Sequence, residues 1–170
     1  MAINSIIKNL GLFPEKAEIK RIKAETADFI SKVEEQIKKQ GVAAEVFVGG
    51  SFAKNTIVRK DKFDVDVFVR FNWKHENLSA DLEKIVKKAF GRIGYEKIHG
   101  SRDYFRVSGI SGNEKIIFEI VPVLKISNPK QARNVTDLSY FHVNYIKRKL
   151  NSERLRREVI LAKAFWKAQK

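Results

Sequence analysis

Two aspartates in an apolar run are the residues of this chain whose type and spacing most directly suggest chemistry. Asp64 and Asp66 lie at the start of the segment Asp64 to Phe71, which otherwise has the apolar composition of a strand. Because side chains alternate between the faces of a strand, both carboxylates point one way and Val65 points the other. Two such carboxylates are costly near a core unless a cation lies between them. Mg²⁺ suits this position, because it takes oxygen ligands from carboxylates and from substrate phosphates.

A glycine-rich turn lies one short segment upstream of the two aspartates. Gly49 and Gly50 would let backbone N–H groups approach a triphosphate, and Ser51 is a candidate N-cap for a following helix. Lys54 and Thr56 would line the same turn. Asp-x-Asp alone is a weak signal and Gly-Gly-Ser alone is an ordinary turn. Their order and spacing together predict nucleotidyl transfer.

A third acid interrupts another apolar strand pattern further along the chain. Residues 115–124 read as a buried strand except at Glu119. Glutamate is almost never fully buried unless it is paired, so one interpretation is a salt bridge to a nearby lysine or arginine. The other places this strand beside Asp64 and Asp66, where Glu119 completes a three-carboxylate site. Two metals about 3.5–4 Å apart could then activate a hydroxyl and neutralise a leaving pyrophosphate.

These motifs resemble the signature of the polymerase β-type nucleotidyltransferases. The matching stretches are residues 50–56 (Gly-Ser-Phe-Ala-Lys-Asn-Thr) and residues 64–69 (Asp-Val-Asp-Val-Phe-Val). Within that superfamily the chain is most similar to the archaeal, class I CCA-adding enzymes, which are tRNA nucleotidyltransferases. Residues 118–122 fall on the family's third-carboxylate strand, 137–142 on a segment that ends in a nucleotide-contacting histidine, and 163–168 on a helix with a triphosphate-contacting lysine. The resemblance covers essentially the whole chain.

The resemblance implies a fold and a set of site residues. The fold is the α+β (α/β) nucleotidyltransferase fold, a mixed sheet of about five strands flanked by helices and followed by a C-terminal helical neck. Residues 1–135 would form the catalytic domain, and residues 136–170 a basic helical segment packed on it. The implied substrates are ATP or CTP and the 3′ end of tRNA or a similar RNA. The implied ligands of two Mg²⁺ ions are Asp64, Asp66 and Glu119, and the implied nucleotide-binding residues are Gly50, Ser51, Lys54, Thr56, His142 and Lys163.

Three departures from the family pattern qualify these expectations. Glu119 stands where the family usually has aspartate, and Lys54 stands where the archaeal enzymes often have arginine. The family also continues beyond the segment that matches Lys163, with further triphosphate contacts and with body and tail domains that grip tRNA. One alternative is therefore a catalytic fragment that works with a second chain or as a homo-oligomer. Without the resemblance, His142 reads as a structural histidine on a predicted helix.

The remaining pattern predicts the elements that must position these residues. A long amphipathic helix runs from Glu15 to Lys39 and stops at Gly41, with Phe29 beside its apolar stripe. That stripe consists of Ile19, Ile22, Thr26, Ile30, Val33 and Ile37. The other predicted helices are Leu78 to Phe90, Leu138 to Leu150, and Ser152 to Ala168, the last with the stripe Leu155, Val159, Ala162 and Trp166. The other predicted strands are Glu45 to Val48, Tyr95 to Ile98, Tyr104 to Ile110, and Lys115 to Leu124, the last two joined by a turn at residues 111–113.

Composition indicates a polyanionic partner. Thirty-four basic and twenty acidic residues give a net charge of +14, and half of this excess lies in residues 147–170. Arg102, Tyr104 and Arg106 alternate along one strand and suit either an RNA-facing surface or an exposed edge strand. The chain has no cysteine, which excludes disulfides and cysteine-bound zinc and favours a cytoplasmic protein. No apolar run of 18 residues is present, so we expect no membrane span.

The predicted reaction is in-line attack of a 3′-hydroxyl on the α-phosphorus of a nucleoside triphosphate. Two other classes of function remain open. A minimal nucleotidyltransferase could use another RNA, a second nucleotide or a protein hydroxyl as acceptor. A non-catalytic RNA- or nucleotide-binding module would explain the charge, but it would not explain three convergent acids.

Overall fold

A five-stranded mixed sheet forms the centre of the protein. The computed structural model describes residues 11–111 and 114–169. The strands follow the order β1-β2-β5-β4-β3, in which β2 and β5 run parallel and the other neighbours run antiparallel. Their bounds are β1 Ala44–Val48, β2 Lys62–Phe71, β3 Glu96–Ile98, β4 Tyr104–Ser111 and β5 Glu114–Leu124. The predicted fold class and strand number are confirmed, whereas the turn predicted at residues 111–113 falls largely outside the described residues.

In the part of the chain that the structure describes, five α-helices flank or extend this sheet. They are α1 Lys16–Lys39, α2 Gly50–Ala53, α3 Leu78–Phe90, α4 Ser139–Lys149 and α5 Glu153–Ala168. Two short 3₁₀ turns, Pro129–Gln131 and Val135–Leu138, connect β5 to α4. Each predicted helix is present within one residue of its predicted ends, and α1 stops before Gly41, whose φ is +62°.

The helix α1 packs on the sheet through an aromatic residue that its predicted stripe omitted. Phe29 is buried, and its ring stacks on Phe118 of β5 at 3.9 Å and on Phe90 of α3 at 4.4 Å. Ile19 and Ile30 of the predicted stripe are both only partly buried, but Ile19 packs against the core whereas Ile30 is not among the residues that do, so the prediction for Ile30 is wrong. Thr26 is buried as predicted, and its hydroxyl donates to the carbonyl of Ile22, so its polar atom is satisfied.

The helix α5 packs through a different face from the predicted one. Trp166 is 71% exposed and Leu155 is 38% exposed, whereas Ile160 is buried. The predicted stripe of Leu155, Val159, Ala162 and Trp166 is therefore wrong. The reason is a polar contact, because Lys163 lies one turn beyond Ile160 and donates to Thr56. A stripe defined by apolar residues alone misses a face that is held partly by a lysine.

The strand β2 has the alternation that the sequence predicts. Phe63, Val65 and Val67 are at most 1% exposed and belong to the core, whereas Asp64 and Asp66 between them are half-buried on the opposite face. From Val67 onward the strand is buried on both faces, which is usual for a strand in the interior of a sheet that pairs in parallel. None of the helices among the described residues has the length and apolarity to cross a membrane.

Candidate active site

Three carboxylates meet on two neighbouring strands. Asp64 and Asp66 project from β2, and Glu119 projects from β5, which pairs in parallel with β2 so that Asp66 lies directly beside Glu119. All three line one open cavity of about 730 Å³. The structure thus brings together three acids that are more than fifty positions apart in sequence at their extremes.

The electrostatics of this cavity are unfavourable for the acids alone. Burial raises the pKa of Asp66, and the negative charges of Glu119 and Asp64 raise that pKa further. The ammonium of Lys54 acts in the opposite direction but does not cancel these effects. Such a site gains free energy when a cation enters it, because the cation offsets both repulsion and desolvation.

The glycine turn packs directly against Asp66. A Cβ on Gly50 would lie 1.6 Å from Oδ2 of Asp66, and the φ of Gly50 is +59°. A Cβ on Gly49 would lie 2.4 Å from the ring of Phe68. The backbone N–H of Gly49 donates to the carbonyl of Asp66 at 2.8 Å. Both glycines are therefore needed for close approach of the turn to β2.

Ser51 does not cap a helix as the sequence predicted. The residue that precedes the four-residue helix α2 is Gly49, which has no side chain to supply a cap, and Ser51 lies inside the helix. Ser51 instead lines the carboxylate cavity and an adjoining cavity of about 210 Å³. The reason is that the turn bends at Gly50, so the chain is already helical when it reaches the serine.

The adjoining cavity is lined by lysines. Lys163 donates from Nζ to the carbonyl of Thr56 at 2.9 Å and to its hydroxyl at 3.0 Å, and thereby joins α5 to the segment after α2. Burial lowers the pKa of Lys163, and the positive charges of Lys54 and Lys60 lower it further. Concentrated positive charge of this kind beside three carboxylates is suited to phosphate groups.

Lys167 was not among the residues predicted from the sequence. It lines both the carboxylate cavity and the adjoining cavity, one helical turn after Lys163. The i,i+4 spacing places Lys163 and Lys167 on one face of the helix, so the sequence already indicated that Lys167 lies near the same site.

The three carboxylates are suitable ligands for the divalent metal that such a site implies. Two of them, however, form ion pairs with basic side chains. Three carboxylates supply the oxygen ligands that Mg²⁺ prefers. As the side chains stand, no group of three His, Cys, Asp or Glu residues in the described part of the chain is arranged to hold a metal. Two of the acids have ion-pair partners: Lys60 contacts Asp64, and Arg106 donates from Nε to Oε1 of Glu119 at 2.8 Å.

His142 does not join this group. It is exposed on α4, and it lines neither of the two cavities that contain Ser51. The helix α4 does pack against α2, which places this histidine on an element next to the glycine turn. Its nucleotide contact stays a prediction.

A second buried aspartate lies away from the cavity and is fully paired. The side chain of Asp137 is inaccessible to solvent and accepts hydrogen bonds from Nη1 and Nη2 of Arg102. It also accepts the backbone N–H groups of Leu124, Arg133 and Asn134. Burial alone would raise the pKa of Asp137, but Arg102 and these donors lower it overall. This cluster ties the end of β5 and the 3₁₀ turns to the segment before β4.

Comparison with known families identifies the kind of domain. Residues 2–154 match the family described as the Second Messenger Oligonucleotide or Dinucleotide Synthetase domain. The chain belongs to this family. The prediction of a polymerase β-type nucleotidyltransferase is confirmed at this level.

Curated relatives of this domain include archaeal CCA-adding enzymes. The enzyme of Nanoarchaeum equitans is 37% identical over 139 residues, which cover 81% of this chain and 32% of the relative. The enzyme of Thermoplasma acidophilum is 30% identical over 159 residues, which cover 91% of this chain and 34% of the relative. The chain thus spans about a third of the length of these two relatives.

Solved structures show the same fold at low sequence identity. CdnC of E. coli MS115-1 with ATP superposes with a TM-score of 0.68 at 20% identity, over 94% of this chain and 55% of that one. A cytoplasmic RNA terminal U-transferase superposes with a TM-score of 0.62 at 12% identity, over 94% of this chain and 43% of that one. These likenesses confirm the nucleotidyltransferase fold.

Proposed function

We propose that this domain transfers a nucleotide from CTP or ATP to the 3′-hydroxyl of an RNA, preferably the 3′ end of tRNA, and releases pyrophosphate. The observation that carries the proposal is the convergence of Asp64, Asp66 and Glu119 beside a cavity lined by lysines. Acids for metal and lysines for phosphates are the two components that this chemistry requires, because positioning and charge neutralisation provide most of the catalysis.

Each side of the site has a separate task in the proposed reaction. Lys54, Lys163 and the turn at Gly50 and Ser51 hold the triphosphate, and Thr56 fixes Lys163 in place. The oxygen of the 3′-hydroxyl loses its proton to solvent and bonds to the α-phosphorus while the bond from that phosphorus to the pyrophosphate oxygen breaks, so that pyrophosphate leaves. Glu119 orients the attacking hydroxyl. On this proposal residues 1–135 form the catalytic domain, residues 136–170 form a basic helical segment, and His142 contacts the nucleotide.

Asp64, Asp66 and Glu119 would hold the divalent metal. When bound, Mg²⁺ at such a site makes a hydroxyl more acidic and neutralises the charge of a leaving pyrophosphate. The raised pKa of Asp66 supports this assignment, because burial and the negative charges of Glu119 and Asp64 outweigh the opposing charge of Lys54, and a bound cation would offset all three. We further propose a cytoplasmic location, as expected of a domain with these curated relatives.

A second nucleotide is the alternative acceptor, and a different observation supports it. The family description names oligonucleotide and dinucleotide synthesis, and the similar CdnC structure contains ATP. The alternative function is therefore transfer to the hydroxyl of a second nucleotide rather than to RNA. The two functions share the donor nucleotide and differ only in the acceptor.

Primer extension tests both functions in one assay. The protein is incubated with Mg²⁺ and labelled CTP or ATP, with tRNA that ends before, within or after CCA, and also without RNA. Extension that stops after CCA supports the tRNA function, whereas labelled dinucleotides formed without RNA support the alternative. Neither product, in a protein that remains folded, would contradict both.

The matched controls are single substitutions in the proposed metal site. Asp64→Ala and Asp66→Ala should each abolish incorporation, a loss of more than about a thousandfold, because each removes a ligand that the reaction needs. RNA affinity should stay similar or rise slightly, since removal of an acid reduces repulsion of phosphate. Retained incorporation in either variant would disprove the assignment of the metal site.

A further inference from the structure

Arg106 is the one basic side chain among the described residues that pairs with Glu119. It lies on β4, directly opposite Glu119 in the antiparallel register with β5. Its Nε donates to Oε1 of Glu119 at 2.8 Å, and both side chains line the carboxylate cavity. Glu119 therefore has a neighbour on each side: Asp66 on β2 and Arg106 on β4.

The arginine is itself held in this position. Its guanidinium lies against Tyr104, two residues earlier on the same face of β4, with Nη2 at 3.4 Å from the tyrosine hydroxyl. Arg106 and Glu119 are 37% and 25% exposed, so the pair is only partly shielded from water. An ion pair of this kind forms in the folded protein, but it is weak enough for a competing cation to displace the arginine.

We propose that Arg106 competes with the divalent metal for Glu119 and so lowers the metal affinity of the unliganded centre. A metal ligated by Glu119 would place two cations on one carboxylate, and their mutual repulsion opposes binding. Arg106 is thus a positioning residue that keeps the third acid paired until the metal displaces it. This inference rests on the proposed function, because it takes Asp64, Asp66 and Glu119 as the metal ligands.

Direct metal binding tests the competition without any activity measurement. Mn²⁺ is titrated into the intact protein without nucleotide, and free Mn²⁺ is followed by electron paramagnetic resonance. Arg106→Gln should bind Mn²⁺ about fivefold more tightly than the wild type, a factor typical of a partly exposed ion pair. Arg106→Lys, which keeps a cation within reach of Glu119, should restore affinity close to that of the wild type.

Two matched variants separate the pair from the general charge of the cavity. Lys62 lines the same cavity, and no described residue forms an ion pair with it. Lys62→Gln removes one positive charge without touching Glu119, so it should change the affinity less than about twofold. In a Glu119→Gln background, Arg106→Gln should lose its effect, because the arginine then has no carboxylate to withhold.

The possible failures are distinguishable. Unchanged or weaker Mn²⁺ binding in Arg106→Gln would overturn the competition, and weaker binding would mean that Arg106 supports Glu119 as a ligand. An equal gain in Lys62→Gln would also overturn it, since general charge would then explain the effect. If Asp66→Asn binds Mn²⁺ as well as the wild type does, the metal site itself is wrong and the proposed function fails with it.

Discussion

Two aspartates of this domain are similar in chemistry and opposite in their surroundings. Asp137 accepts hydrogen bonds from Arg102 and from three backbone N–H groups, and its pKa is lowered overall. Asp66 is half-buried beside Glu119 and Asp64, and its pKa is raised. One carboxylate is satisfied by the protein, whereas the other is crowded by charges of its own sign.

The difference is that between a structural role for Asp137 and the proposed metal-binding role of Asp66. A buried charge whose partners are complete contributes to holding elements together, and its removal leaves those partners unsatisfied. A group of acids that lacks enough partners opposes folding and is retained where a ligand supplies the missing charge. Asp137 thus connects β5 to the helical segment, and the crowding of charge at Asp66 is the reason for proposing that a metal binds there.

The largest expected effect of this contrast is on stability at Asp137. Asp137→Ala leaves the Arg102 guanidinium and three N–H groups without their acceptor, and should lower the free energy of unfolding by about 3–5 kcal/mol. Chemical denaturation measures this loss. The control is Asp28→Ala, which removes an exposed pair with Lys32 and should cost at most about 1 kcal/mol. Equal losses in the two variants would remove the distinction drawn for Asp137.

A glycine substitution should sharpen the contrast by displacing Asp66 without deleting it. Gly50→Ala combines a left-handed backbone with a Cβ placed 1.6 Å from Oδ2 of Asp66. Gly41→Ala has the same kind of strain at φ +62°, but no atom lies within 4 Å of its Cβ. Gly41→Ala should lose about 1–2 kcal/mol of stability from backbone strain, and Gly50→Ala should lose at least as much because of the added clash. Only Gly50→Ala should lose activity in the primer-extension assay, by about tenfold or more. Full activity in Gly50→Ala would contradict the close packing of turn and carboxylate.

The smallest effect concerns the stability of the metal-free centre. A carboxylate whose pKa is raised on folding favours the folded state below its unfolded pKa, and this contribution is lost as pH rises through the folded pKa. Asp66→Asn removes the ionised carboxylate that destabilises the folded state at neutral pH. The melting temperature of this variant should therefore exceed that of the wild type by a few degrees, since about 1 kcal/mol corresponds to about 2–4 °C at this chain length. Thermal melts in EDTA at pH 7 and near pH 4 check this, and the difference should shrink at the lower pH.

Magnesium should have the opposite effect on the two proteins compared in EDTA, by stabilising the wild type but not the variant. A ligand that binds only the folded state raises the melting temperature. Mg²⁺ should therefore stabilise the wild type and leave Asp66→Asn unchanged. A lower melting temperature for Asp66→Asn in EDTA at neutral pH would show that the crowding at this centre does not oppose folding.

Much of the fold and part of the site follow from the sequence for a clear physical reason. Period-two alternation placed Asp64 and Asp66 on the face opposite Val65, and apolar runs located the strands within one or two residues. The face of α5 was mispredicted because Lys163 packs through polar contacts with Thr56. Local patterns contain no information about such long-range partners.

The partner of Glu119 and the environment of Asp137 could not be predicted either, because both depend on residues that are distant in sequence. A salt bridge at Glu119 was one of the two interpretations of the sequence, but the identity of its partner, Arg106, depends on the register between β4 and β5, which the sequence does not state. The sequence placed Asp137 only within a segment that resembles a family motif. Its structural role was not predicted, because its five hydrogen-bond donors come from three separate parts of the chain.

The parallel pairing of β2 with β5 also affects how the protein reaches its folded state. About forty residues, including α3 and β4, separate the end of β2 from the start of β5, so a long loop must close before the two strands meet. Asp66 and Glu119 become neighbours only when that loop closes. A partly folded chain without this strand pair cannot assemble the three-acid centre, and metal affinity would therefore report completion of the sheet during refolding.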